Sequence, residues 1–283
     1  MTEGKTLKLG LIGDNIARSR SPLLHRLAGD QNGIAVTYER LVPKDMGESF
    51  EQVFDRCRTG GYRGINVTYP YKERVTAQLR VDDPLVRAMG ACNTVIFEAD
   101  GPRGFNTDYS GFVAAYETVR GKMATGPVLM IGTGGVGRAV AFGLARLGCT
   151  ELRLVDRDPA KAEALADALH SVVPDMDISI WIDAENAAQG ASGLINCTPV
   201  GMVGYDGTPL RAGAIFGSDW AFDAVYTPTD TQFLTDAAAA GLSIISGWEL
   251  FFFQGVHAWT LFSGLGLDQA ALRARLLADD AAA

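Results

Sequence analysis

The chain has 283 residues, which is enough for two domains that each bury a core. Hydrophobic residues make up 47% of it. Its formal net charge is −8 at pH 7, and this negative charge argues against nucleic acid as a partner. Because no apolar run is long enough to cross a bilayer, we expect no membrane insertion.

The N-terminal residues and the cysteines indicate a cytoplasmic protein. Residues 1–5 lead directly into a strand-like run without the hydrophobic region of a secretion signal. The cysteines form no CxxC pair, so we interpret them as reduced residues in the core or lining a site: Cys57, Cys92, Cys149 and Cys197. With three histidines and no clustered Cys or His, the sequence predicts no metal site.

The first region alternates strand and helix patterns. Strands are predicted at 7–12, 37–42, 64–68 and 94–97, and helices from Ser21, at 50–58 and at 72–79. Ser21 and Pro22 are typical of a helix N-cap and first turn. We interpret 82–84 as a helix stop and 100–102 as a turn. The alternation predicts a mostly parallel sheet.

A second region begins near Asp108, with a helix predicted as far as about Arg120. Further strands are predicted at 127–131, 151–155, 178–181, 193–196 and 220–223, and helices at 137–147, 159–170 and 248–262. This is the pattern of a doubly wound, Rossmann-type sheet. The fold class is therefore α/β, with two domains.

A glycine-rich turn follows the predicted strand at 127–131 and precedes a helix. Gly132 would make the tight turn, and Gly134 and Gly135 would let the backbone approach a pyrophosphate at the helix N-terminus. Asp156 ends the next strand, where an acid accepts hydrogen bonds from the ribose hydroxyls of NAD. The alternative is a plain tight turn between strand and helix, but Asp156 favours a dinucleotide site.

The residues after that strand favour NAD over NADP. The carboxylate of Asp156 would repel a 2′-phosphate. Arg157 would attract it, but Asp158 follows and leaves the local charge negative. The predicted cofactor contacts are Gly132, Gly134, Gly135, Val136, Gly137, Asp156, Arg157, Thr198 and Gly247.

Lys72 and Asp108 lie among polar side chains at strand and turn ends. Alone, Lys72 reads as a solvated surface residue and Asp108 as a helix N-cap. However, Asn and Thr at the carboxyl ends of parallel strands line polar pockets, and the sequence has six of them nearby: Asn66, Thr68, Asn93, Thr94, Asn106 and Thr107. An amine and a carboxylate in such a pocket suit proton transfer to a hydroxyl group.

Six ordered segments resemble the shikimate/quinate dehydrogenase family over almost the full chain. They are Ser19-Arg-Ser-Pro22, Asn66-Val-Thr-Tyr-Pro-Tyr-Lys72, Gly90-Ala-Cys-Asn-Thr94 with Asn106-Thr-Asp108, Asn196-Cys-Thr-Pro-Val-Gly-Met202, Asp223-Ala-Val-Tyr226 and Gln254-Gly255. The resemblance implies hydride transfer between NAD and a small carboxylated cyclic polyol, interconverting shikimate and 3-dehydroshikimate, with quinate as a further substrate.

The resemblance also implies a role for each matched residue. Ser19 and Ser21 would bind the substrate carboxylate, and Lys72 and Asp108 would flank the reacting C3 oxygen as the catalytic pair. The remaining substrate contacts would be Asn66, Thr68, Asn93, Tyr226 and Gln254. Because Gln254 would close the pocket, the expected domains are 1–107 with 246–283 for substrate and 108–245 for the dinucleotide.

The sequence also departs from the commoner family pattern. NADP-using members carry Asn-Arg-Thr where this chain has Asp156-Arg-Asp158, so the resemblance is closer to NAD-linked members. Quinate-preferring members often have Thr at the position of Ser21, which favours shikimate here. The run Phe251-Phe-Phe253 is bulkier than the family pattern.

Several alternatives remain open. One is a member that prefers quinate or aminoshikimate. Another is a different two-domain dehydrogenase such as the methylenetetrahydrofolate type, which gives no reason for the Ser19 and Ser21 element. A third is a non-catalytic sensor of cofactor and substrate, against which the intact Lys72 and Asp108 pair argues. We expect a monomer or homodimer.

Overall fold

The computed structural model of the protein describes residues 6–282. The sequence prediction for residues 1–5 therefore lies outside the described residues. The strands, in chain order, are β1 Thr6–Ile12, β2 Ala35–Leu41, β3 Gly64–Val67, β4 Thr94–Glu98, β5 Gly101–Phe105, β6 Val128–Ile131, β7 Glu151–Val155, β8 Asp177–Trp181, β9 Gly193–Asn196, β10 Trp220–Asp223 and β11 Ser243–Ile245.

The helices, in chain order, are α1 Ser21–Gln31, α2 Pro43–Met46, α3 Phe50–Thr59, α4 Lys72–Thr76, α5 Pro84–Met89, α6 Thr107–Arg120, α7 Gly135–Arg146, α8 Pro159–His170, α9 Ala184–Ala188, α10 Gln232–Ala239, α11 Gly247–Ser263 and α12 Gln269–Ala282. The chain forms two compact units. The first contains the residues up to Thr107 and those from Gln254 onward, and the second is Asp108–Phe253. The second boundary thus lies inside α11, later than the predicted one at 245/246.

The first unit is built on a five-stranded sheet in the order β2-β1-β3-β4-β5. The pairs of β1 with β2 and with β3 are parallel, whereas β4 pairs antiparallel with both β3 and β5. The sequence analysis missed β5, because Gly101 and Pro102 have low strand propensity and lie in the predicted turn. Helices cover both faces, α3 over one core cluster and α1 with the end of α11 over another.

Two predicted boundaries in this unit are wrong. Helix α4 ends at Thr76, whose hydroxyl donates to the Lys72 carbonyl (3.0 Å), instead of reaching position 79. The segment 82–84 begins a helix instead of only ending one. The Asp83 carboxylate accepts from the Leu85 N–H (2.8 Å) and caps α5, and Pro84 occupies its first turn.

The second unit is built on a six-stranded sheet in the order β11-β10-β9-β6-β7-β8. Every pairing in it is parallel, which confirms the doubly wound prediction. Its core includes Leu129, Leu194 and Phe233, all nearly or wholly buried. The carboxyl ends of β6 and β7 lie at one edge of the sheet, and this edge carries the glycine turn and Asp156.

Two absences concern the part of the chain that the structure describes. Within residues 6–282 there is no helix of the length and apolarity that a bilayer crossing requires. The same residues contain no group of three or more His, Cys, Asp and Glu side chains placed to hold a metal ion.

Candidate active site

The two serines predicted to bind a carboxylate lie together at the start of α1. The Ser19 Oγ is 3.3 Å from both the hydroxyl and the backbone N–H of Ser21. The helix begins at Ser21, and Arg20 holds the N-cap position without a side-chain cap, so the prediction of Ser21 as N-cap is wrong. The first turn of α1 has no acidic residue, so its positive dipole end favours an anion.

A buried network of neutral groups joins β3, β4 and the start of α6. The Asn66 amide donates to the Thr94 hydroxyl at 3.0 Å. The Asn93 side-chain oxygen accepts from the Thr107 N–H at 2.7 Å and from the hydroxyls of Thr94 and Thr107, each at 3.1 Å. The structure thus brings Asn66 and Asn93 together, as predicted. The amide of Asn106, which directly precedes Thr107, donates to the Ala91 carbonyl at 2.9 Å and to the Met89 sulfur at 3.0 Å.

Two residues that the sequence analysis missed complete this network. The Tyr38 hydroxyl donates to the Asn66 side-chain oxygen at 2.8 Å. The His25 ring stacks on the Tyr38 ring, with 5.1 Å between the centroids and 10° between the planes. Burial lowers the pKa of His25 to about 3, although an interaction with Asn66 opposes the change, so the imidazole is neutral. The only sequence signal for His25 was its position close to Ser21 in α1, and Tyr38 in β2 had none.

Lys72 is the first residue of α4 and is half-buried. Its carbonyl accepts from the Cys92 N–H at 3.0 Å, which fixes the start of α4 beside the chain that leads into Asn93. Thr68 follows β3 and is half-buried, and its N–H donates to the Ile12 carbonyl at 2.9 Å. A side chain at Gly13 would lie 2.3 Å from the Thr68 methyl group, so Gly13 leaves space for Thr68.

Asp108 and Gln254 lie in the first turn of α6 and in α11, respectively. Asp108 is 7% exposed, and the preceding residue Thr107 is bound by Asn93, so α6 starts at a fixed point. Gln254 is half-buried. A Cβ on the next residue, Gly255, would lie 2.4 Å from a Leu24 methyl group, which shows how closely α11 packs on α1 within the first unit.

The glycine turn has the geometry of a dinucleotide site. Gly132 has φ +94°, and a Cβ there would lie 2.8 Å from the Cys197 backbone and 2.9 Å from the Thr198 side chain. A Cβ on Gly137 would lie 2.2 Å from the Gly132 carbonyl oxygen. Gly134 is the N-cap of α7, is exposed and has open space where a Cβ would point. Gly135 begins α7, two residues before the predicted start, and Val136 follows half-buried.

Asp156 follows β7 and holds the glycine turn. One carboxylate oxygen accepts from the N–H and the hydroxyl of Thr133, at 2.7 and 2.8 Å, and the other accepts from the Asp158 N–H at 3.0 Å. Burial acts to raise the pKa of Asp156, but these hydrogen bonds outweigh it and lower the pKa, so the group is ionised. Arg157 beside it is exposed.

A second buried network lies at the carboxyl ends of β9 and β10. The Asn196 side-chain oxygen accepts from the N–H (3.0 Å) and the hydroxyl (2.7 Å) of Thr198. The Asn196 amide donates to Asp223 at 2.9 Å, and Asp223 also accepts from the Val225 N–H (3.0 Å) and the Thr231 hydroxyl (2.7 Å). Sequence analysis quoted Asn196 and Asp223 only within motifs and gave them no role.

Tyr226 and Gly247 lie where the segment after β10 packs on the start of α11, within the second unit. The Tyr226 ring stacks on Phe251, the first residue of the bulky phenylalanine run, with 5.4 Å between centroids and 11° between planes. A Cβ on Gly247 would lie 2.4 Å from the Val225 carbonyl oxygen, so only glycine lets α11 begin this close. The structure therefore places Gly247 against Val225, and its predicted contact with a cofactor stays a prediction.

Comparison with known proteins identifies the family. A family model described as the shikimate dehydrogenase substrate binding domain matches residues 11–95. The quinate/shikimate dehydrogenase (NAD(+)) of Corynebacterium efficiens is 37% identical over 279 residues, which cover 96% of this chain and 98% of that protein. This chain belongs to the shikimate/quinate dehydrogenase family. The family resemblance seen in the sequence is thereby confirmed.

Members of the family that resemble this chain differ in their cofactor. The shikimate dehydrogenase (NADP(+)) of Pseudarthrobacter chlorophenolicus is 34% identical, over 95% of this chain and 94% of that protein. The solved structure of the quinate dehydrogenase from Corynebacterium glutamicum in complex with NAD has a TM-score of 0.91 and 32% identity, and covers 97% of this chain and 100% of that chain.

Proposed function

We propose that the protein is a dehydrogenase that interconverts shikimate and 3-dehydroshikimate with NAD, and that it also accepts quinate. The observation that carries this proposal is the neutral network of Asn66, Asn93, Thr94 and Thr107, with Lys72 fixed beside it. Amide and hydroxyl groups both donate and accept, which suits the recognition of several ring hydroxyls. The alternative of a quinate- or aminoshikimate-preferring enzyme differs only in substrate.

Ser19 and Ser21 are the proposed carboxylate site. Their hydroxyls lie 3.3 Å apart, so one carboxylate can accept from both. The first turn of α1, which has no side-chain cap from Arg20, adds its dipole. Since the Ser21 side chain does not cap the helix, no capping hydrogen bond competes with the substrate for its hydroxyl.

Lys72 is the proposed proton acceptor. When the alcohol is oxidised, its C–H hydrogen leaves as hydride and its O–H proton passes to the Lys72 amine. In the reverse reaction Lys72 returns that proton to the nascent alkoxide. Asp108 is the proposed partner that orients Lys72. Such a general acid–base group typically contributes about 10²- to 10⁴-fold in rate.

The residues of the glycine turn fit NAD. Gly134 and Gly135 lie at the start of α7, where backbone N–H groups have no partner within the helix and suit a pyrophosphate, and the Cβ positions of Gly132 and Gly137 are filled by neighbouring backbone. NAD supplies the hydride acceptor when bound. A carboxylate has about four lone-pair sites. Asp156 already accepts three hydrogen bonds, which leaves room for about one ribose hydroxyl.

The further proposed cofactor contacts lie around this turn. Thr198 lies directly against Gly132, and Arg157 and Val136 flank the same strand ends. On the substrate side, Thr68, Tyr226 and Gln254 complete the proposed set. We also propose a cytoplasmic location, which the four free and buried cysteines support, and a monomer or homodimer.

A turnover assay tests the function. The purified protein is given shikimate, quinate or an amino analogue, each with NAD and with NADP, and reduced cofactor is followed by absorbance. We expect the highest kcat/KM with shikimate and NAD. A protein prepared in parallel with Lys72→Ala controls for host dehydrogenases. Binding of NAD and shikimate without turnover would overturn the proposal in favour of a sensor.

A further inference from the structure

Asp223 is an acid that the proposed mechanism does not use. It is wholly buried at the end of β10. Its three hydrogen-bond donors are the Asn196 amide, the Val225 N–H and the Thr231 hydroxyl, all neutral. Burial raises the pKa of Asp223 to about 6, although the hydrogen bonds from Thr231, Val225 and Asn196 oppose the rise. Burying an ionised carboxylate without a charged partner destabilises the folded state. A role of Asp223 other than stability is therefore expected.

One carboxylate oxygen of Asp223 is linked by hydrogen bonds through Asn196 to Thr198, a proposed cofactor contact. The Asn196 amide donates to Asp223, which leaves the Asn196 oxygen facing Thr198. That oxygen then accepts both the N–H and the hydroxyl of Thr198. The Thr198 hydroxyl in turn accepts from the Val200 N–H at 3.2 Å. Asp223 and the Val200 carbonyl, which accepts from the same amide at 3.1 Å, therefore set the orientation of the Asn196 side chain, and Asn196 fixes Thr198 beside Gly132.

The same carboxylate oxygen of Asp223 is linked through Val225 to Tyr226, a proposed substrate contact. The Val225 N–H donates to it, and Val225 directly precedes Tyr226. Two further contacts fix this segment: Gly247 lies against the Val225 carbonyl, and Phe251 stacks on the Tyr226 ring. The second oxygen accepts from the Thr231 hydroxyl, which stops the carboxylate from rotating.

We propose that Asp223 is a positioning residue that holds Thr198 for the cofactor and Tyr226 for the substrate through one carboxylate. The inference rests on the proposed function, because the roles of Thr198 and Tyr226 come from it. The new element is that a single carboxylate positions both the cofactor contact and the substrate contact. A change at Asp223 therefore acts on both ligands, whereas a change at Asn196 acts on the cofactor alone.

The test compares four variants with the wild-type protein. In Asp223→Ala we expect KM to rise about tenfold or more for both NAD and shikimate. In Asp223→Asn the retained oxygen still accepts from Asn196 and Val225, and the bond to Thr231 is reversed, with the new amide donating to the Thr231 oxygen and the Thr231 proton losing its acceptor. This variant should therefore stay within about threefold of wild type. Asn196→Ala should raise KM for NAD alone. Asp219→Asn, at an exposed acid just before β10, is the matched control and should change nothing.

The outcomes separate positioning from a merely structural role. Asp223→Ala protein that is folded by circular dichroism and has wild-type KM for both ligands would overturn the proposal. If Asp223→Ala does not fold, Thr231→Val is measured instead, because it removes the bond to the second oxygen, together with the N-cap bond that the Thr231 hydroxyl accepts from the Leu234 N–H at 3.3 Å. It should raise both KM values by a smaller factor, and unchanged values there and in Asn196→Ala would equally overturn the proposal.

Calorimetric titration with NAD separates this inference from the proposed function. If the wild-type protein binds NAD but turns over neither shikimate nor quinate, the function fails. Asn196→Ala must still weaken NAD binding relative to Asp219→Asn for the cofactor half of the positioning role to stand, and equal affinities would contradict it.

Discussion

In the first unit, neutral groups hold Asn66, Asn93 and Thr94, whereas in the second unit carboxylates hold the glycine turn and Asn196. In the first, Asn66, Asn93 and Thr94 hold one another through amides and hydroxyls. In the second, Asp156 holds the glycine turn and Asp223 holds Asn196. Both acids follow or end a strand of the same parallel sheet, yet the pKa of Asp156 is lowered and that of Asp223 is raised.

This difference follows from what each unit is proposed to bind. Ring hydroxyls need donors and acceptors side by side, which neutral groups supply without favouring either. A cofactor site needs an anion near the ribose and a rigid turn, which Asp156 combines. The comparison also predicts where pH acts. The network of the first unit contains His25, which stays neutral because its pKa is about 3, so its hydrogen bonds persist across neutral pH.

The largest effect should come from Lys72, the group in the first unit proposed to move a proton. We expect Lys72→Ala to lower kcat by about 10²- to 10⁴-fold while KM for NAD changes little, since the lost interaction forms in the transition state. Steady-state kinetics measures this. Lys44→Ala, at an exposed lysine of the same unit, is the control. A near-normal kcat would remove Lys72 from the mechanism.

The next largest effect should come from the carboxylate site. Ser19→Ala and Ser21→Ala should each cost about 1.5–3 kcal/mol in binding, because each removes a hydrogen bond to a charged group. This corresponds to a rise of roughly 10- to 150-fold in KM for shikimate, with KM for NAD unchanged. A shikimate ester without the negative charge should bind equally poorly to all three proteins. Wild-type KM in both mutants would place the carboxylate elsewhere.

Asp156 should set the choice of cofactor. Two like charges about 4 Å apart repel by about 4 kcal/mol at an effective dielectric near 20, before screening and relaxation. Half of that is more than tenfold, so wild type should prefer NAD and Asp156→Asn should shift the kcat/KM ratio toward NADP. Asp158→Asn removes an exposed charge from the same loop and should shift it less. An unchanged ratio in Asp156→Asn would show that this carboxylate does not face the ribose.

The smallest effect concerns stability and pH in the second unit. Because the pKa of Asp223 is raised to about 6, the folded protein binds this proton more tightly than the unfolded chain. The resulting stabilisation is complete below the ordinary pKa of an aspartate and is lost as the pH rises through about 6. Relative to Asp223→Asn, wild type should lose on the order of 1 kcal/mol of unfolding free energy between pH 5 and pH 7.5.

Urea unfolding of both proteins at the two pH values measures that difference. Titrations elsewhere in the chain cancel between wild type and the variant, provided that they are independent of Asp223. A pH-independent difference would mean that Asp223 does not titrate in this range. The same measurement on Tyr38→Phe, which alters the neutral network, should give a difference that does not vary with pH.

Local patterns predicted most of the secondary structure. The bounds of α8 were predicted correctly, because Pro159 opens it and strong helix formers fill it. The bounds of β7, β9 and β10 were also predicted correctly. The prediction missed β5 and β11. Strand β5 contains Gly-Pro-Arg-Gly and pairs with β4, a contact that composition does not reveal.

The candidate site was predictable where its residues form motifs and not where they act through distant partners. Ser19, Lys72 and the glycine turn lie in short segments with a recognisable order. His25 and Tyr38 each look like ordinary core residues of a helix and a strand, and only the fold brings the His25 ring 5.1 Å from Tyr38. Asp223 was visible in a motif, but its three partners lie at residues 196, 225 and 231.

The buried thiols have a practical consequence. Cys57 and Cys92 lie in the first unit and Cys149 and Cys197 in the second, and burial raises the pKa of every one of them. Since the thiolate is the reactive form, the native protein should be almost silent to alkylating reagents. Labelling at each cysteine therefore reports the opening of its own surroundings. The chain carries two internal probes in each unit, so the stability of the two halves can be followed separately without any introduced label.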